Sequence, residues 1–538
     1  MRGLSRHCRR THLAEAGLAA LAVLTVGCAY HPRWTPETVA PPASLAVALD
    51  NADRAWRAGQ ATLPTDRATT LPLTRDGAIL TGVTRNRSLI VQRYAPEIAQ
   101  TSIDEARAAF DPSLTGSASY GRTTRPAGAG GVGGVGSVTT RNFDSSMQIN
   151  ETIPTGTEVF LSGAFAGQRV NLPPWTYTGT WSAGFNQSLL RGMGVNVNLV
   201  TLRQARNTFA SSQHQLRGFV MDLVQQIETV YWELVLADET LRIRKFSVRL
   251  ANEQLQLNED MIAVGKLAPS ARYTAEAELA TREADLVDAQ AGVKSRALDL
   301  IRLLDPDHAA QWEIHFQPQD PPDVERVDVN PDVSATLAKQ YRPELAQSRL
   351  DLANRDLDVV QTRNGLLPNL TGFGSYGRFS TGTNTDQATD DLDSSKFDNY
   401  QVGLSLEMDP LDRAERARRA RARFQQHQAE AAVRNLEQQV DSDVRHAAVE
   451  VQRQWERIPA TQKAVRSGEE DVQVQKSRFA VGIGTNIDVL TVQRNLIQSQ
   501  LAEVTARIKY IEALTALYHS EGTLLDRRRV GTDGEKEG

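Results

Sequence analysis

Pro112–Arg122 reads PSLTGSASYGR, and Pro368–Arg378 reads PNLTGFGSYGR. Eight of these eleven positions are identical. A second echo, Ala263-Val264-Gly265 and Ala480-Val481-Gly482, closes a long helical pattern after each copy. The chain therefore reads as one unit written twice, each copy running strand, long helix, turn, helix. A single repeat cannot bury its apolar faces alone, so the two halves are expected to complete one architecture. The duplication constrains the fold more than the 538-residue length, which by itself counts no domains.

The strand patterns are unusual for a soluble core. Leu114, Gly116, Ala118 and Tyr120 alternate with Thr115, Ser117, Ser119 and Gly121. Tyr177, Gly179, Trp181, Ala183 and Phe185 alternate with Thr178, Thr180, Ser182 and Gly184, and Tyr400, Val402, Leu404 and Leu406 with Gln401, Gly403, Ser405 and Glu407. A period of two with one apolar face marks a strand. Here the apolar face is largely small and aromatic and the other is small and polar, which suits a lipid-facing barrel wall around a polar lumen. Thirteen of the 32 aromatic residues fall within 113–188 and 369–407, a concentration that favours the membrane setting. Ala127–Gly136 and Thr381–Ser395 read as loops at the strand tips. The Gly-rich run lacks the Lys-Ser/Thr ending and following helix of a phosphate-binding loop.

The helices are too long for a globule. Val220, Leu223, Ile227, Val230, Leu234, Ala237 and Leu241 step by three and four in a proline-free stretch from about Leu199 to Val264. At 1.5 Å per residue that helix reaches about 100 Å. Its counterpart runs from about Asp412 to Val481, with Pro459 expected to bend it. There Leu436, Val440, Val444, Ala447, Val451, Trp455 and Ile458 follow a spacing nearer eleven residues than seven, which keeps a helix almost straight. The return helices, Ala271–Leu304 and Ile487–Ser520, reach roughly 50 Å each. Shorter helices around Leu89–Phe110 and Leu345–Leu366 precede the strands and supply the missing length. Many seam positions are Ala, Gln or Thr, a composition that suits a hollow ring of helices better than a solid bundle.

The N-terminus carries an export signal. Arg2, Arg6, Arg9 and Arg10 precede the short apolar run Ala16–Gly27, which ends Leu24-Thr25-Val26-Gly27-Cys28. That run is too short to span a bilayer and reads as a secretory signal. A small residue directly before Cys28 resembles a bacterial lipobox, although Thr25 stands where that motif prefers Leu. Ala29 is not the Asp that favours inner-membrane retention in enteric bacteria. Removing the leader also removes Cys8, leaving Cys28 with no partner for an intramolecular disulfide. It takes four arginines and Glu15 from a chain of formal net charge −5, so the exported chain is still more acidic. An acidic chain is a poor partner for nucleic acid.

Arg342-Pro343-Glu344-Leu345, Leu366-Leu367-Pro368-Asn369-Leu370, Gln187-Ser188-Leu189-Leu190-Arg191-Gly192, Arg478-Phe479-Ala480-Val481-Gly482, Asp488-Val489-Leu490 and Ala516-Leu517-Tyr518 occur in an order that resembles the TolC-like outer membrane efflux proteins. The resemblance covers about residues 85–522. It implies an α+β fold: a trimeric outer-membrane β-barrel continuous with a long α-helical periplasmic tunnel, built from the internal duplication. It also implies a homotrimer in contact with outer-membrane lipid, a periplasmic adaptor (membrane fusion) protein and an inner-membrane pump as partners, and no chemistry or cofactor of its own. The boundaries expected are a signal peptide at 1–27, a lipidated segment and linker at 28–84, and a first repeat at 85–304. A Pro/Asp-rich connector at 305–340, a second repeat at 341–522 and a charged, disordered tail at 523–538 complete the chain. Family members commonly supply two strands per repeat. Extra strand-like runs around Met147–Ile153 and Val159–Phe165, joined by Pro154-Thr155-Gly156-Thr157, leave open twelve or about eighteen strands for a trimer.

The candidate contacts with the adaptor are the two helix–helix turns, Val264, Gly265 and Lys266 in the first and Val481, Gly482, Ile483 and Gly484 in the second. They serve equally well as plain turn residues. In TolC-like channels acidic residues after the second tip ring the periplasmic entrance, and Asp488 matches the first of these; a helix-start aspartate is the alternative. Catalysis finds no support, because the nine histidines show no metal-ligand spacing and no serine sits in a nucleophile elbow. Met147 and Met193 are isolated, which argues weakly against a soft-metal lumen. The functions that remain are the exit duct of an efflux system, the outer-membrane channel of a one-step (type I) protein secretion system and, behind both, a structural surface protein.

Cys28 is expected to be the acylated first residue of the mature chain. Intact mass measurement of the membrane-extracted protein checks this: an unmodified N-terminus starting elsewhere is the contrary result.

Overall fold

The computed structural model describes residues 70–126, 137–171, 174–304, 315–394 and 397–530. The leader, Cys28, the Gly-rich stretch 127–136 and residues 531–538 lie outside the described residues. The chain divides into two compact units, one formed by residues 98–209 and 350–430 and the other by the remainder of the described chain.

The first unit holds a single antiparallel sheet. Its strands are β2 (Ser113–Pro126), β3 (Ser137–Ile153), β4 (Thr157–Val170), β5 (Thr176–Ser188), β7 (Asn369–Gly382) and β8 (Asp398–Glu407), hydrogen-bonded in that order. The extra runs of the first repeat are thus full members of the sheet, as β3 and β4. Gly156 makes their tight hairpin possible: its φ is +89° and its amide donates to Ile153 O at 2.9 Å. A Cβ there would lie 2.2 Å from Gly192 O, so only glycine fits.

Pairing register assigns every side chain to a face, because directly opposed residues point the same way. Leu114, Met147, Gly163, Trp181, Arg378 and Asp398 share one face through the pairs Gly116↔Met147, Met147↔Gly163, Gly163↔Trp181, Trp181↔Arg378 and Arg378↔Asp398. Ile149, Leu161, Phe165, Phe185, Tyr376, Tyr400, Val402, Leu404 and Leu406 join them by alternation. Val402 on this face is 81% exposed. The opposite face is mostly Ser, Thr, Asn and Gln, with Phe160, Phe373 and Phe379 among them and cross-strand hydroxyl pairs Ser117–Ser146 at 2.8 Å and Ser162–Ser182 at 2.7 Å. A short helix, residues Thr385–Ser394, follows β7 and rests on the apolar face, its Ala388 carbonyl and Leu392 filling the space beside Gly179.

Ten further helices lie among the described residues. They are α1 (Arg75–Arg85), α2 (Arg87–Ala108), α3 (Val195–Asn198), α4 (Val200–Ala263), α5 (Ser270–Leu304), α6 (Pro331–Tyr341), α7 (Pro343–Gly365), α9 (Arg413–Ala480), α10 (Asn486–Ser520) and α11 (Leu524–Arg527), with Thr385–Ser394 as α8. Helix α9 stays helical on both sides of Pro459. Among the described residues no helix is long and apolar enough to cross a membrane.

The second unit has two large apolar cores and a small one of Val465, Val472, Val492 and Leu496. Val224, Ile227, Tyr231 and Leu234 of α4 meet Ala78, Ile79, Leu300, Leu304 and Ile508 in one. Val440, Val444 and Val451 of α9 meet Ala338, Leu345, Ala506, Tyr510 and Leu517 in the other. Of the stepped seams, Val220, Leu223, Ile227 and Leu234 of α4 and Val440, Val444, Val451 and Ile458 of α9 are buried in these cores.

Segments read from the sequence as linker, connector and tail add structure around them. β1 (Thr70–Leu73) pairs in parallel with β6 (His315–Pro318), and Asp320 beyond it accepts from the Tyr231 hydroxyl at 2.7 Å and the Arg75 amide at 2.6 Å. Burial first, and Asp320 second, push the Tyr231 hydroxyl well above the usual phenol range. The tail expected to be disordered from 523 is instead ordered through Val530. Leu524 and Leu525 are buried in the first core, and the Arg527 guanidinium lies 4.0 Å from the Tyr518 ring centre. Arg528 donates to Glu228, a carboxylate with no exposed surface, through Nε at 2.5 Å and Nη2 at 2.9 Å, while Thr515 Oγ1 donates to the same group at 2.8 Å. The physical reason is that a buried carboxylate needs a cation, and Arg528, beyond Thr523, supplies it.

Arg528→Ala strands the Glu228 charge and is expected to cost about 3–5 kcal/mol. Denaturant unfolding of the helical unit, compared with the exposed-site variant Arg272→Ala, measures it; equal stability of the two variants is the contrary result.

Candidate functional site

Both helix–helix turns close in the same way. Helix α4 ends with Gly265 at φ +74°; its amide donates to Ile262 O at 2.9 Å and the Lys266 amide to Met261 O at 2.8 Å. Helix α9 ends with Gly482 at φ +81°; its amide donates to Phe479 O at 3.0 Å and the Ile483 amide to Arg478 O at 2.9 Å. These paired bonds satisfy the last carbonyls of each helix, a Schellman closure that needs a left-handed residue. Gly484 differs. Its φ is ordinary, but a Cβ would sit 3.2 Å from the Phe479 amide nitrogen, so its role is close approach.

The turns present apolar side chains to solvent. Val264 and Val481 are exposed, and Ile483 is 72% exposed with Ile487 beside it. Lys266 is exposed as well, so the first tip adds a cation and the second a further aliphatic group.

Asp488 lies in the first turn of α10. Its carboxylate accepts from the Thr485 amide at 3.0 Å and the Thr485 hydroxyl at 2.7 Å, while the Asp488 amide donates back to Thr485 Oγ1 at 3.2 Å. This is a reciprocal capping box. The Thr485 hydrogen bonds, side chain first, hold the carboxyl below the usual aspartate range. The first tip has no such box, since Ala268 and Ala271 occupy the matching places. The T-x-x-D spacing was present in the sequence as a helix-start signal.

Behind the tips, polar side chains link the two hairpins. Gln254 of α4 donates to Asn258 at 2.9 Å and to Asn486 of α10 at 3.1 Å, and all three are buried. Asn258 donates to Ala271 O of α5 at 3.4 Å. Further from the tips, Glu278 of α5 accepts from buried Arg282 at 2.6 Å and from Arg494 of α10 at 2.8 Å. These groups were not singled out in the sequence. The Gln254/Asn258 pair, four apart within an apolar seam, is the signal that could have found them. A cavity of about 590 Å³ lies between α4, α9 and α10, lined by Arg242, Lys245, Phe246, Arg249, Glu469 and Glu503 among others. Its mixed charge forms no nucleophile–base arrangement. Among the described residues no group of three or more His, Cys, Asp and Glu is placed to hold a metal ion.

A two-faced antiparallel sheet, paired long hairpins and exposed apolar tips define a channel-forming class of protein. Residues 335–523 match the model of the outer membrane efflux protein family. That match spans the second repeat, and through it the chain is similar to the TolC-like outer membrane efflux proteins. It is 22% identical to the proteases secretion protein PrtF of Dickeya chrysanthemi over 369 residues, covering 63% of this chain and 75% of that one. Its fold is similar to the outer-membrane channel OprN, with a TM-score of 0.64, 16% identity and coverage of 84% and 90%. The Campylobacter jejuni outer membrane channel CmeC is similar too, with a TM-score of 0.63, 16% identity and coverage of 84% and 86%.

Space is open around Gly265 and Gly482, with no atom within 4 Å of an added Cβ. Gly265→Ala and Gly482→Ala are therefore expected to cost about 1–2 kcal/mol each through the backbone alone. Unfolding titrations check this, and an unchanged midpoint for both is the contrary result.

Proposed function

We propose that this chain is the outer-membrane exit duct of a tripartite efflux system, passively conducting cargo from an inner-membrane pump to the exterior. The carrying observation is the six-stranded sheet with one apolar and one hydroxyl-rich face. Its edge strands, β2 and β8, have no second neighbour among the described residues. Such edges, exposed in hydrocarbon, leave backbone groups unsatisfied, and pairing β8 of one copy with β2 of the next closes a ring. The family resemblance supports three copies. Six strands from each make a barrel of eighteen, wider than the twelve that two strands per repeat give.

In this reading the apolar face meets lipid and the hydroxyl face lines the pore. The tips Val264–Lys266 and Val481–Gly484 meet the periplasmic adaptor through their exposed aliphatic groups. Three copies of Asp488 surround the entrance; the capping box engages one oxygen of each carboxylate and leaves the other available to the pore. The mature chain is held at the membrane by the Cys28 lipid as well as by the barrel. Similarity to a protein named for protease secretion favours a second reading, the outer-membrane channel of a type I secretion system. Deletion separates them: sensitivity to small toxic compounds marks efflux, and loss of a secreted protein marks secretion.

Purified protein in planar bilayers is expected to give channels of trimeric mass, with cation selectivity lowered by Asp488→Asn. A monomer without conductance sinks the duct. Channels whose selectivity ignores Asp488→Asn leave that residue a helix cap alone. The depressed carboxyl sets the pH window. The capping contribution is present above the unfolded aspartate value and lost as pH falls through the lower folded one, so the cap holds at neutral and mildly acidic pH.

A further inference from the structure

Arg122, Arg141 and Arg169 stand side by side on the apolar face of the sheet. Arg122 is directly opposite Arg141 across β2 and β3, and Arg141 is directly opposite Arg169 across β3 and β4. Like charges facing each other across strands are destabilising. None of the three forms an ion pair among the described residues. Asp144, the nearest acid along β3, is three residues from Arg141 and so points to the other face.

The second copy of the repeat shows what this position does when a partner is present. Arg378 is the repeat equivalent of Arg122, and directly across from it stands Asp398. The same arginine thus faces an acid in one repeat and another arginine in the other. What differs is the β3–β4 hairpin, which brings Arg141 and Arg169 to the row.

The row also has a defined height. One step along each strand toward the helical connections, the same face carries Tyr120, Phe143, Gly167 and Tyr177 in register. Trp175 stacks on Tyr177 with ring centres 6.0 Å apart, and Phe165 stacks on it at 5.8 Å. Below these the face is aliphatic, with Met147, Ile149, Leu161 and Leu114. One step the other way, Thr124 and Thr139 pair through their hydroxyls at 3.0 Å. Aliphatic belt, aromatic girdle, cation row and hydroxyls follow the polarity of a membrane leaflet from acyl chains to headgroups. The row sits at the strand ends remote from the long helices α4 and α9, which in a duct is the outer leaflet.

We propose that Arg122, Arg141 and Arg169 form a binding site for the phosphates of a phosphorylated glycolipid of the outer leaflet, lipid A. Guanidinium groups bind phosphate oxygens in pairs, and one phosphate seated between two opposed arginines turns their repulsion into shared attraction. Arg122 is exposed and Arg141 and Arg169 are half-buried, so the site opens sideways to lipid and not to a sealed cavity. The site rests on the outer-membrane orientation proposed above.

The test uses the full-length protein in detergent, stripped of lipid and titrated with bisphosphorylated lipid A under native mass spectrometry. Wild type is expected to bind it at least tenfold more tightly than fully dephosphorylated lipid A or phosphatidylglycerol. The triple variant R122Q/R141Q/R169Q is expected to lose that preference, whereas Arg378→Gln keeps it. Equal binding by the triple variant, or no preference for the phosphates in wild type, overturns the site. A preference for phosphatidylglycerol overturns the glycolipid assignment.

Should the triple variant fail to fold, Arg141→Gln alone removes both like-charge pairs. It is expected to raise the melting temperature without lipid A and to abolish the further rise that lipid A gives wild type. A lowered melting temperature in lipid-free detergent overturns the proposal. Planar-bilayer conductance keeps the two readings apart. Channels without lipid A binding sink this site alone, and absence of channels sinks the duct and the site together.

Discussion

Backbone hydrogen bonding at the edges of one sheet governs everything else in this chain. β2 and β8 each offer an unpaired row of N–H and C=O groups beside residues as apolar as Leu114, Tyr400, Val402 and Leu404. In water such an edge invites aggregation, and in hydrocarbon each unpaired group costs several kcal/mol. The sheet does not join its own edges, since β2 and β8 are not paired with each other. Copies of the same chain satisfy the requirement at no cost in sequence, since the surface that β8 needs is the β2 already encoded. In the proposed duct, assembly would thus be a condition of folding in the membrane and not an addition to it.

The helical unit solves a different problem. Many seam positions in α4 and α9 are Ala, Gln or Thr, so apolar burial is spread along separate cores. Polar groups then fix which helices meet: Glu228 accepts from Arg528 and Thr515, Glu278 of α5 from Arg494 of α10, and buried Gln254 reaches buried Asn486. A buried ion pair contributes little to net stability compared with apolar residues of the same volume, yet breaking one side is expensive. The consequence is register. Sliding one helix by a turn would strand a charge, which apolar contacts alone would tolerate more readily.

The parts legible in the sequence were those whose signal is periodic. Val440, Val444 and Val451 read as a seam and are the buried core of α9; Trp181 and Phe185 read as one face of a strand and are. Glycine at Gly265 and Gly482 marked both turns because left-handed backbone selects it. What escaped was fixed by contact at long range. Leu524, Leu525 and Arg528 looked like a charged tail because nothing local reveals that Glu228, 300 residues earlier, waits for a cation. β1 and β6 are four residues each, too short for alternation to register, and their pairing joins segments 245 positions apart. Thr485 and Asp488 carried a readable capping signature, and the two side chains bond each other as it requires.

The two repeats differ in a way that topology explains. The shared eleven residues begin β2 in the first copy and β7 in the second, and each copy ends its sheet segment with a strand returning to a long helix: β5 before α4, β8 before α9. Between those ends the first copy holds β3 and β4, and the second holds only a loop with α8. Strands can be added to an antiparallel sheet between fixed ends only in pairs, because one extra strand would deliver the chain to the wrong side for the helix that follows. The β3–β4 hairpin obeys this parity, so it enlarges the sheet without disturbing the connection of either repeat to its helices. It also changes what stands beside β2, from a returning strand that in the second copy carries Asp398 to one that carries Arg141. A single insertion thereby alters both the number of strands a copy brings to the wall and the charge that wall presents on its apolar face.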